Sequence, residues 1–123
     1  MLPASHYRAY QDFLTLLTEF TQVIVIEKQK LNLALLKTEF EQLSRWFQAH
    51  IVSLGDRQID PVHISRWQSV QTEILREFKL LSTDMLFLAS ARQDSTQQKR
   101  IKSIKNRLSK LTDYCKIMLK NNN

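Results

Sequence analysis

The residues with chemical potential are few and widely spaced. Glu73 and Glu77 stand four apart, the separation that puts two carboxylates on one helix face, and Glu39 and Glu41 stand two apart. Paired carboxylates bind divalent cations or divide acid and base roles, yet the di-metal helical sites add Glu-x-x-His sets from further helices, and none occurs here. Interleaved with Arg76 and Lys79, the Glu73/Glu77 pair reads as a solvated face. His6, His50 and His63 have no third ligand at loop or helix spacing, so no metal site is expected. His50 reads as half-buried, in phase with Phe47 and Leu54, and His63 as part of an exposed first turn. The single cysteine, Cys115, excludes an internal disulfide framework and falls at a core position, as a small hydrophobe in a reducing compartment. With one glycine, Gly55, most backbone cradles for phosphate are excluded, and no nucleophile elbow or His-Glu-x-x-His pattern is present. The expectation is a protein without enzymatic activity or cofactor.

The strongest pattern is charge. Lys99, Arg100, Lys102, Lys105, Arg107, Lys110, Lys116 and Lys120 crowd the last quarter of the chain against one acid, Asp113, whereas the preceding residues carry ten cations against eleven acids. The net charge of +6 is therefore local. Such a patch acts on what approaches it, which points to an acidic partner. Phosphate contacts by the same helix remain the alternative, a nucleic-acid-binding regulator, although the recognition helix or exposed stacking aromatics of base readout are missing. Trp46 sits beside a seam position, open either to packing on the last helix or to anchoring a partner, and it joins the eight basic residues as a candidate contact.

The elements that position these residues are helices. One glycine and two prolines in 123 residues leave little room for hairpins, so few, long helices are expected. Phe13, Leu17, Phe20 and Ile24 form one stripe; Leu36, Phe40, Leu43, Phe47 and Leu54 form a second phase, with a handover among Leu31, Leu33, Leu35 and Leu36. This predicts a long first helix over 5–54, either a rod or a helix kinked near 23–26. Gly55 suits a left-handed C-cap, and Asp60-Pro61 an N-cap with proline at the first helical position. The second helix, 61–91, has the seam Ile64, Trp67, Gln71, Ile74, Phe78, Leu81, Met85 and Leu88. Ser95 to Gln98 has capping-box spacing, and the third helix, 97–119, carries Ile101, Ile104, Leu108, Leu111, Cys115 and Met118. The predicted fold is all-α, an elongated antiparallel three-helix bundle spanning 1–120 as one domain, with 121–123 a disordered tail. No segment has the roughly 20 apolar residues of a bilayer span and no targeting signal is visible, so the expected location is cytoplasmic. An exposed Trp46, the excess apolar residues around Leu33 to Leu36 and an uncovered side of the second helix also leave room for a homodimer seam.

The opening Met1-Leu2-Pro3-Ala4-Ser5-His6-Tyr7, the long first helical segment, the Asp60-Pro61 boundary and the basic last helix together resemble the PatD family of small cyanobacterial proteins that control heterocyst frequency. The resemblance covers nearly the whole chain and includes no catalytic motif. It implies a cytoplasmic regulator that tunes how often vegetative cells differentiate, and a link to cell division through the tubulin-like protein FtsZ. No family motif carries binding residues across, so the basic helix is nominated by charge alone.

Overall fold

The computed structural model describes residues 2–26 and 32–120, and the expected tail at 121–123 lies outside them. Among the described residues four helices follow in order: α1 (Ala4–Ile26), α2 (Leu33–Phe47), α3 (Pro61–Ser90) and α4 (Asp94–Lys120). A π-helical turn, Gln48–Val52, continues α2.

The expected three-helix bundle with a long first helix is thus corrected. The segment read as one helix is two, and α1, at 23 residues, is shorter than α3 at 30 and α4 at 27. Asn32 starts α2 as its N-cap, its side chain accepting a hydrogen bond from the Leu35 amide at 3.0 Å. Phe20 then lies 5.8 Å from Phe40, and Phe13 5.1 Å from Phe47, between ring centroids. Residue numbers that rise on α1 as they fall on α2 define an antiparallel pair. The shift of apolar phase is therefore a change of helix, while the part of the handover at 27–31 lies outside the described residues.

The expected boundary at Asp60-Pro61 is present. Asp60 accepts from the Val62 amide at 3.2 Å, and Pro61, which has no amide hydrogen to leave unpaired, is the first residue of α3. Gly55 does not take the left-handed conformation, because the helix has already ended at Val52. At the start of α4 the capping box is replaced by a different arrangement: the helix begins at Asp94, and the Gln97 side-chain amide donates back to the Ala91 carbonyl at 3.0 Å.

Packing runs α1 on α2, α2 on α3, α3 on α4, and α4 back on α1. The result is an up-down-up-down four-helix bundle with α2 and α4 on one diagonal. Every seam position of α3 is buried except half-buried Ile64, and every seam position of α4 is buried except half-buried Ile101. Phe78 sits centrally, stacked on Phe47 at 3.8 Å and on Phe40 at 5.6 Å. Aromatic pairs of this kind add about 1 kcal/mol each to their area burial.

Two buried polar groups have a shared consequence at high pH. Removal from water pushes the Cys115 thiol up to about 12, and burial pushes the Tyr10 phenol well above its usual range. The unfolded chain releases both protons first, so above about pH 9 the folded state holds more protons and stability falls as pH rises. Urea unfolding between about pH 8 and about pH 11 should show a loss of roughly 1 kcal/mol per pH unit that sets in above about pH 9 with Cys115 and steepens above about pH 10, where Tyr10 joins it. Stability that stays level over that window would contradict the burial of both.

Candidate partner-binding face

The eight basic residues of α4 separate into two groups. Arg100 and Arg107, seven residues apart, lean toward α3, where Asp84 and Glu77 are also seven apart and almost wholly buried, at 6% and 1% exposure. Arg107 Nη1 lies 3.3 Å from Glu77 Oε2, and Arg107 Nε lies 3.6 Å from Asp84 Oδ2. Arg100 Nη1 lies 3.4 Å from Asp84 Oδ1, Ser103 Oγ donates to Asp84 Oδ2 at 2.8 Å, and the Arg100 guanidinium caps the Phe87 ring at 4.4 Å. Arg76, 3.1 Å from Glu73, reaches the other Glu77 oxygen at 3.7 Å. The expectation of a solvated Glu73/Glu77 face is corrected: Glu77 points inward, and the cation that meets it comes from α4. These arginines hold two helices together, and their charge is met within the chain.

The lysines behave differently. Lys99, Lys102, Lys110, Lys116 and Lys120 are exposed and Lys105 is half-buried, and among the described residues none of the six forms an ion pair. At 3.6 residues per turn they occupy an outward arc of about 140°, spread along about 30 Å of helix. Asp113 is the one acid on that arc. Ile117, exposed on the same side, offers an apolar contact that sequence reasoning overlooked because it lies off the seam. Ammonium groups on flexible stems act as hydrated point charges without the fork geometry of arginine. The face is suited to broad electrostatic docking of an anionic surface.

Trp46 is not part of this face. It lies half-buried on α2, 6.0 Å from Phe13 on α1 and 4.9 Å from the ring of His50, so it packs on the first helix and not the last. His50 itself is exposed, not half-buried, and His63, expected exposed, is half-buried. Among the described residues no three His, Cys, Asp or Glu side chains are grouped to hold a metal ion, and no helix is long and apolar enough to cross a membrane.

A second polar cluster, also unseen in the sequence, sits at the bundle end where α1 and α3 begin. Trp67 Nε1 donates to Tyr10 Oη at 2.9 Å, Tyr10 donates to Gln71 Oε1 at 2.7 Å, and Gln71 Nε2 donates to the Ile51 carbonyl at 3.0 Å. That carbonyl lies at the C-terminal end of the π-helical turn, where it also accepts from the Leu54 amide at 3.1 Å. Nearby, His6 Nε2 lies 2.7 Å from the Gly55 carbonyl; against an acceptor it must carry the proton, which leaves Nδ1 to accept from Ser5 at 3.3 Å. The ring and amide nitrogens and the hydroxyls of this cluster each meet a partner, so the cluster orders the end of the bundle. No family model, curated protein or solved structure matches the chain.

Proposed function

We propose that the chain is a non-enzymatic, cytoplasmic regulatory protein that binds an acidic protein surface through the lysine face of α4. The observation that supports this is the contrast within one helix: Arg100 and Arg107 are paired with α3 carboxylates, whereas the six lysines on the outward arc form no ion pair among the described residues. Like charges held close without counterions raise the local potential, and an incoming anionic surface relieves it. The resemblance to the PatD family makes FtsZ the first partner to test and the frequency of heterocyst differentiation the process affected.

The test is triple reversal of Lys99, Lys102 and Lys110 to Glu. All three are exposed and none lies in the last turn of α4, so the helix dipole is not opposed there and helicity should be unchanged by circular dichroism. Affinity for purified FtsZ is expected to fall roughly tenfold or more, and wild-type affinity to weaken as salt rises. Unchanged affinity removes this face as the contact. Tight, salt-sensitive binding to short duplex DNA, with none to FtsZ, would replace the proposal with the nucleic-acid reading.

A further inference from the structure

Between the N-terminal turns of α2 and the C-terminal turns of α3 the bundle leaves an open groove of about 360 Å3. Its wall is apolar, formed by Leu36 and Phe40 on α2 and by Met85 and Leu86 on α3, with Lys37 and Glu41 along the α2 lip. We infer that this groove is the seat of a second copy of the same chain, packed about a two-fold axis. The inference is independent of the lysine-face proposal.

Three features select that occupant. Leu86 is 71% exposed on the lip of the groove it helps to line, so one patch carries both an apolar projection and an apolar recess. Contact between identical patches requires this self-complementarity. Lys37 and Glu41 stand four residues apart, and neither forms an ion pair among the described residues. Lysine before glutamate is also the weaker order for a pair within one helix. A two-fold axis crossing α2 between them reverses the helix, so Lys37 of each copy meets Glu41 of the other, whereas a side-by-side parallel contact would set like charge on like. Finally, α4 packs on α1 and α3 and lies diagonal to α2, so in such a dimer both lysine faces point away from the joint. The excess positive charge then does not oppose association, and the dimer presents two equal cationic faces to the outside.

Sedimentation equilibrium from about 10 µM to about 500 µM tests the inference. The unmodified chain is expected to form a reversible dimer, and Leu86→Glu to remain monomeric throughout with an unchanged helical spectrum. Lys37→Glu and Glu41→Lys should each weaken association roughly tenfold, and an equimolar mixture of the two variants should associate again, because each then supplies the charge that the other lacks. An unmodified chain that stays monomeric over the range overturns the inference; if that monomer takes up an apolar fluorescent dye and Leu86→Glu does not, the groove belongs to a foreign ligand. Dimerisation indifferent to Leu86→Glu places the interface elsewhere. Single charge variants that fail to recover on mixing rule out the two-fold pairing.

Discussion

Replacing Arg107 by alanine is expected to lower the unfolding free energy by about 3–5 kcal/mol, because it strands buried carboxylates. Glu77, 2% exposed at its side chain, would keep only the long contact to Arg76, and Asp84 would keep Arg100 and Ser103. Lys102→Ala, five residues away on the same helix, should change stability by less than about 0.5 kcal/mol, since it removes an exposed side chain with no ion pair among the described residues. Equilibrium unfolding of the two variants in guanidinium therefore separates the cations that hold the bundle from those that face outward. A loss below about 1 kcal/mol for Arg107→Ala would mean that water reaches Glu77 and that the pair is not buried in solution. One opposing contribution is relieved by the substitution: among the described residues Arg107 Nε is the buried side-chain atom without a hydrogen-bond partner, 3.6 Å from the nearest Asp84 oxygen.

Tyr10→Phe is expected to destabilise by about 2–4 kcal/mol although it deletes a single oxygen. The phenol is donor to Gln71 and acceptor from Trp67, so its loss leaves two buried groups unpaired at once. The decisive comparison is a double-mutant cycle with Gln71→Leu, in which the leucine removes the acceptor that the missing hydroxyl would strand. Chemical unfolding of the double variant should then cost distinctly less than the two single changes added together. Simple additivity would mean that Tyr10 and Gln71 are not coupled.

Where the apolar period is unbroken, as in α3 and α4, the linear sequence is enough to place the buried face, and in α3 the Asp60-Pro61 cap places the start of the helix as well. Trp67, Ile74, Phe78, Leu81 and Leu88 on one helix, and Ile104, Leu108, Leu111 and Cys115 on the other, occupy the core their spacing requires. The first half of the chain resists the same reading for a physical reason. A stripe that rotates around one helix and a stripe that ends and restarts on another produce the same change of phase, so periodicity cannot distinguish a rod from a hairpin. The deciding signal was Asn32, an N-cap residue hidden among leucines. Charge was misread in a similar way. Searching for acids within four residues of each cation finds partners on the same helix only, yet the spacing of seven shared by Glu77 with Asp84 and by Arg100 with Arg107 was legible as a match between antiparallel neighbours. Gln71 was visible as a polar interruption of the α3 seam, but its partners, Tyr10 and the Ile51 carbonyl, come from elements that only the fold brings together. Of the nominated contacts, six lysines share one face, two arginines turn inward and Trp46 lies on a helix that does not pack on α4.

The order in which the helices pack bears on how the chain reaches this state. Three of the four contacts join helices that are consecutive in the chain, and α3 meets α4 after a connection of only three residues, 91–93. Such neighbours find each other with little loss of chain entropy, and the Arg107 link to Glu77 belongs to that inexpensive kind. The contact of α1 with α4 is the exception, since it closes a ring across nearly the whole sequence. Chain entropy therefore favours the locally connected hairpins over the ring-closing contact of α1 with α4, which makes that contact the expected late step of assembly.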